Sequence, residues 1–203
     1  MLKQITELQA VAQSGLCFAK DKFDIARYER IIEIAAKLFE LNSNHKYDEI
    51  LELFREDNGY ATPKMDVRGA AFRDNEILLV QEAADNLWSL PGGWADVNLS
   101  PSENIIKEIY EEAGFESTVI KLIRIYDKNK DPRISRWPHV YRMFFLCELK
   151  NSAPLPFDKN EILDMNFFGI NELPPLSLGR VNKEQIEVCF KHHYNQNLIT
   201  EFD

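Results

Sequence analysis

"LPGGWADVNLSPSENIIKEIYEEAGF", residues 90–115, sets a pair of glycines ahead of a segment in which three glutamates fall within five positions. Ser100, Pro101 and Glu103 form a capping box with proline at the first helical position, so the spacing predicts a helix that begins there, and Gly114 suits its C-terminal stop. At ~100° per residue, Glu108, Glu111 and Glu112 share one face within about 100° of arc, and Ile105, Ile106, Ile109 and Ala113 form the apolar face beside them. Like charges three and four residues apart repel. Such crowding is useful where a hard divalent cation such as Mg²⁺ or Mn²⁺ takes carboxylate oxygens and bridges them to phosphate. The plainer reading, a solvated acidic face, would suit an isolated helix; the preceding "PGGW" loop argues for a site.

Working outward, the chain has 203 residues, 45% of them hydrophobic, enough for one large domain or two unequal ones. A net charge of −9 argues against broad electrostatic capture of nucleic acid or an anionic membrane surface. The N-terminal stretch carries Glu7 and Gln9 inside its apolar pattern, which does not fit a signal peptide, and no segment has the length and apolarity of a membrane span. A cytoplasmic location is the expectation. Cys17, Cys147 and Cys189 are odd in number and widely spaced, so buried free thiols are expected.

Residues 1–58 read as helices. Leu2, Ile5, Leu8 and Val11 form one stripe that should stop at Gly15; Asp24 offers an N-cap to a second helix with Tyr28, Ile31, Ile32, Ala35 and Leu38 on one face; a third, "YDEILELFRED", should end at Asn58-Gly59. "NGYATPK" reads as a boundary, and from residue 64 to 203 the periodicity turns strand-like. "DVRGAAF" and "EILLVQE" read as a hairpin with one buried face, followed by strands in "STVIKLIRIYD", "HVYRMFFLCEL" and "ILDMNFFGI" and a closing helix near 183–194. The fold class is α/β or α+β: a mixed β-sheet sandwiched by helices, behind a small helical domain.

Gly93 to Phe115 resembles the signature of Nudix hydrolases. Gly93, Glu108, Ile109, Glu111, Glu112, Gly114 and Phe115 match; Leu99 occupies the position of the family's first glutamate and Lys107 that of its arginine, two supporting positions that in the family can pair. The loop must then be held by other contacts, with Leu99 expected to pack over the apolar start of the helix. "GYATPKMDVRGAAF", "RIYDKNKDP" and "FFGINELPPLSLGRV" are similar to a bacterial subgroup that carries an N-terminal helical domain and is described as acting on ADP-ribose or CDP-choline.

The resemblance implies metal-dependent hydrolysis of a nucleoside diphosphate derivative, ADP-ribose first, with CDP-choline or a non-catalytic nucleotide-binding module as alternatives. It implies Mg²⁺ or Mn²⁺ held by Glu108, Glu111 and Glu112, with a backbone carbonyl at Gly92 or Gly93, and a general base from Glu108, Glu112 or the loop glutamate Glu161. Arg68, or His139 and Tyr141 read as alternating along a strand, are candidates to meet the substrate, and Trp88 and Trp94 flank the glycine loop. For each a structural role is the plainer reading. Lys191, His192 and His193 read as a solvated helix end. A helical domain under 60 residues is small to stand alone, so it should pack on its own hydrolase domain or on a second subunit, and a homodimer is expected.

Overall fold

The computed structural model describes residues 1–131, 137–156 and 161–203. The chain divides into two compact units: Met1–Pro63 with Arg136–His139, and Lys64–Ser135 with Val140–Asp203.

The first unit consists of α1 (Leu2–Phe18), α2 (Lys22–Glu40) and α3 (Tyr47–Glu56). Gly15 does not stop α1: the helix runs through it to Phe18. A Cβ at Gly15 would lie 2.4 Å from the Tyr28 ring, so the glycine lets α2 approach rather than ending α1. The N-cap of α2 is Asp21, whose carboxylate accepts from the amides of Phe23 and Asp24; Asp24 lies in the first turn. Ile5, Ala12, Ile32, Ala35, Phe39, Ile50 and Phe54 form the core, and Trp137 packs on Phe54 with ring centroids 4.8 Å apart. Cys17 is exposed on the outside of α1, contrary to expectation, while Cys147 and Cys189 are buried thiols.

In the second unit the strands are β1 (Lys64–Arg73), β2 (Glu76–Glu82), β3 (Trp88–Ser89), β4 (Ser117–Asp127), β5 (Val140–Leu149), β6 (Ile162–Phe168) and β7 (Glu201–Phe202). Their order is β3-β2-β1-β5-β4-β7, with β6 on β2. β1 and β2 make the expected antiparallel turn, but β1 also runs parallel to β5 from Lys64 to Ala71. β1, β2 and β5 are buried on both faces, not one. Val67, Ala71, Met143 and Phe145 pack on α4 (Pro101–Ala113); Ala70, Phe144 and Leu146 pack on α5 (Lys183–Tyr194). The face of α5 toward the sheet buries His192 completely and stacks His193 on Phe72, which overturns the solvated reading of that helix end.

One detail of β1 positions the site. β2 pairs with it only at Phe72 and Arg73, and the open edge of its N-terminal half is covered by the glycine loop: Val67 N–H donates to the Gly93 carbonyl, Gly69 N–H to Pro91 and Ala95 N–H to Met65. Gly92 has φ +136°, and a Cβ there would lie 2.0 Å from the Val67 carbonyl oxygen. Only glycine permits that approach.

Candidate functional site

Helix α4 begins as the capping box dictates: the Ser100 hydroxyl accepts from the Glu103 amide at 3.2 Å, and the Glu103 carboxylate accepts from the Ser100 amide at 2.8 Å. It ends at Gly114 in the left-handed region, φ 69°. With Ile105, Ile109 and Ala113 in the core, its glutamate face is forced to the edge of the sheet, where Glu108, Glu111 and Glu112 line a cavity of about 400 Å³. Glu161 and Ile162 line the same cavity. The Ala83 amide donates to the Glu161 carbonyl at 2.8 Å, so the end of β2 fixes where this loop glutamate enters.

The glycine loop and the glutamates touch. Gly92 N–H donates to Glu112 Oε2 at 2.8 Å, and the Glu108 carboxylate lies 3.5 Å from the space a Gly93 side chain would occupy. Burial pushes the Glu112 carboxyl up to about 8; Glu108 and Glu82 add to that, while the Gly92 amide and Arg68 oppose it. Glu108 is also raised, first by burial, with Lys107 countering in part. Both carboxyls thus lie above their ordinary range, and burial is the first cause for each. Lys107 bridges Glu111 Oε2 (2.8 Å) and Asp96 Oδ2 (3.1 Å), and these hydrogen bonds raise its own pKa.

The donor set is all oxygen, anionic and open to a cavity, which fits a hard divalent cation. Among the described residues no three acidic, His or Cys side chains already converge as a metal cluster. Lys107 draws Glu111 aside and Gly92 holds Glu112. Of the two candidate glycine carbonyls, that of Gly93 accepts from Val67, which leaves Gly92 as the better candidate.

The proposed substrate contacts fare differently. Arg68, a candidate to meet phosphate with a surface salt bridge as the plainer reading, does not lie at the surface. It is buried, with Nε and Nη2 on the two oxygens of Asp66 (2.9 and 3.1 Å) and Nη1 on the Leu90 carbonyl (3.2 Å), so its donors are engaged beneath the loop. Arg142 Nη2 adds a third contact to Asp66 at 3.0 Å. Burial alone would raise the Asp66 carboxyl, but the two guanidiniums outweigh it and hold the group below the usual range. Tyr141 lies at the start of β5, on the α4 side by strand alternation, and 38% exposed. His139 precedes β5 and clusters with the helical unit, so the alternation expected to pair it with Tyr141 does not reach it. Trp88 packs edge-on against Phe168, and Trp94 is exposed beside Asp66.

Sequence reasoning missed the residues that hold the loop. Leu99 is partly covered, at 38% exposure, and what it contributes to the loop is its carbonyl. The buried group is Asn104, one turn into α4, which binds Asp96 and Leu99 through its amide. A polar residue on the apolar side of the helix was the available signal.

The NUDIX domain profile matches residues 63–189, and the profile described as a UDP-X-like, N-terminal oligomerisation domain matches residues 1–54. The chain belongs to the Nudix hydrolase family. A protein of Bacillus subtilis (strain 168) named "Putative ADP-ribose pyrophosphatase YjhB" is 37% identical over 203 residues, all of this Nudix chain and 96% of its own. A crystal structure of an ADP-ribose pyrophosphatase from Streptococcus suis is 41% identical, with a TM-score of 0.63, over 70% of this chain and all of that one. The crystal structure of a UDP-X diphosphatase is 35% identical, with a TM-score of 0.64, over 100% of this chain and 97% of that one.

Proposed function

We propose that this Nudix hydrolase cleaves the pyrophosphate linkage of a nucleoside diphosphate derivative, with ADP-ribose as its first substrate. The observation that carries the proposal is the meeting of Glu108, Glu111, Glu112 and Glu161 in one cavity against the glycine loop. A larger cavity of about 530 Å³ opens on the α5 side, lined by Arg124, Tyr126 and Arg142 among others, but the glutamates do not reach it. The relatives named for ADP-ribose support the substrate; the UDP-X diphosphatase, similar over the whole chain, favours a second reading in which a UDP-linked compound is preferred.

Glu108, Glu111 and Glu112, with the Gly92 carbonyl, would hold Mg²⁺ or Mn²⁺, as Nudix hydrolases generally need a divalent metal. When bound, such an ion polarises the phosphate, lowers the pKa of the attacking water and neutralises the carboxylates. The chain's own residues do the rest. Gly92 N–H keeps Glu112 turned toward the loop, and Lys107 holds Glu111 one turn away. Glu161, which lines the same cavity just before β6, would take a proton from water through its carboxylate, with Glu108 and Glu112 as the other carboxylates able to do so. The water oxygen bonds to phosphorus, the bond from phosphorus to the bridging oxygen breaks, and two phosphomonoesters leave.

The helical unit supports a homodimer. Leu8, Val11 and Phe18 on α1, and Ile34, Leu38 and Leu41 at or near α2, are exposed and spaced as helical stripes, in a segment that matches an oligomerisation profile. The net charge of −9 gives nucleic acid no support as a partner. Among the described residues no helix is long and apolar enough to cross a membrane, and a cytoplasmic location fits the reading. The deciding experiment assays ADP-ribose, CDP-choline, UDP-sugars, NADH and nucleoside triphosphates with Mg²⁺ and Mn²⁺, alongside sedimentation to read the oligomer. A clear preference for UDP-linked compounds would replace ADP-ribose, and no turnover of any would remove the hydrolytic reading.

A further inference from the structure

We propose that Asn104 is a positioning residue that clamps the glycine loop onto the catalytic helix, doing here the work of the absent glutamate and arginine at positions 99 and 107. The inference rests on the hydrolytic reading of the glutamate cavity and adds to it a residue outside the family's signature.

Asn is a poor helix former, and a buried polar side chain needs its hydrogen bonds met. Asn104 is fully buried in the first turns of α4. Its Oδ1 accepts from the Asp96 amide at 2.8 Å, while Nδ2 donates toward the carbonyls of Ser100 (3.2 Å), Leu99 (3.3 Å) and Asp96 (3.4 Å). Both ends of the amide are thus spent on the backbone of the loop that precedes the helix. Because Oδ1 meets an N–H and Nδ2 meets carbonyls, an isosteric carboxylate could keep only the first contact.

Asp96 is held a second time, by Lys107 at its side chain. On its other side the loop is fixed to β1 through Ala95 and Gly93, and between these anchors Gly92 donates to Glu112. The contacts close a ring: α4, Asn104, Asp96, the glycine loop, Gly92, Glu112 and back to α4. Loosening Asn104 frees one side of the loop while leaving the glutamates in place on the helix. The distance from Gly92 and Gly93 to Glu108 and Glu112 would then be set from the β1 side alone, with the helix end of the loop released. An exposed Leu99 side chain cannot replace the lost hydrogen bonds.

The test uses the full-length chain, stripped of metal, with Mn²⁺ as probe. Asn104→Ala should weaken Mn²⁺ binding, followed by paramagnetic resonance, by roughly 10-fold and lower kcat by a similar factor, as loss of a supporting contact does at metal sites. KM should change by less than about 3-fold, since the substrate is not touched. Ile123→Val, on the α5 side of the sheet, controls for stability: it should lower the unfolding midpoint and leave Mn²⁺ affinity unchanged. Adding Leu99→Glu and Lys107→Arg to the Asn104→Ala chain should recover part of the Mn²⁺ affinity. If Asn104→Ala fails to fold, Asn104→Asp, which keeps volume and Oδ1 but loses the donors, takes its place. Wild-type Mn²⁺ affinity in the folded variant, or an equal loss in Ile123→Val, would overturn the proposal. An inactive wild type would refute the hydrolytic reading alone, and Mn²⁺ affinity would still decide the role of Asn104.

Discussion

Replacing Glu112 with glutamine probes the site through stability as well as turnover. Burial lifts this carboxyl from 4.5 to about 8, so between those values the folded, metal-free chain binds more protons than the unfolded one. Stability contributed by the protonated group is then full below pH ~4 and is lost as the pH rises toward about 8. At ~1.4 kcal/mol per pH unit the displacement bounds the effect near ~5 kcal/mol. Because the carboxylate borders a cavity that admits water, about 2 kcal/mol is the expected size. Glutamine carries no charge and retains an oxygen for the Gly92 amide. In excess chelator, urea unfolding followed by tryptophan fluorescence should find Glu112→Gln more stable than wild type by about 2 kcal/mol at pH 9 and equal to it at pH 4. Divalent metal should narrow the difference: at 100 times its Kd a ligand of the folded state adds ~2.7 kcal/mol, which the variant should gain only in part. Turnover should fall by roughly 100-fold. Parallel pH profiles for the two proteins in chelator would refute the account of Glu112 as a buried, under-compensated carboxylate.

Excess EDTA should abolish turnover and Mg²⁺ or Mn²⁺ should restore it; activity that persists in EDTA would remove metal from the mechanism. Lys107→Ala should lower kcat by roughly 10-fold by releasing Glu111 and Asp96, while changing stability by less than ~1 kcal/mol because the pairs are largely exposed. Lys107→Arg should be tolerated, and a double-mutant cycle with Leu99→Glu measures whether the family's pair can form. Gly92→Ala should destabilise the chain by about 3 kcal/mol or more, since it adds a clash with Val67 to backbone strain; an unfolding midpoint at the wild-type value would show that the loop can move off β1.

Helix α4 was legible because its signals are local. Ser100, Glu103 and Gly114 act within one turn of themselves, and the helical period alone puts three glutamates on one face. The closing helix and most strands were readable for the same reason, through periodicity over consecutive residues. Where a local signal had two uses, the sequence misled: Gly15 could end α1 or admit Tyr28, and only packing chose the second. Likewise β1 and β2 were readable as strands but not as buried on both faces, because whether a helix covers the second face depends on α5, more than a hundred residues away.

The sequence by itself determined the helix, its caps, the clustered negative charge and the glycine that must precede it, since each is set by neighbours in the chain. Tertiary structure decided which charges are met and where. It brought Glu161 into the cavity of Glu108, Glu111 and Glu112, buried Arg68, a candidate for phosphate, on Asp66, and supplied in Asn104 one of the other contacts that the departures at Leu99 and Lys107 called for. Even where the partners are near in sequence, as Arg68 and Asp66 are, what the contact is worth depends on burial, and burial is set by the packed fold. Periodicity and spacing report which residues share a face; they do not report what lies opposite it.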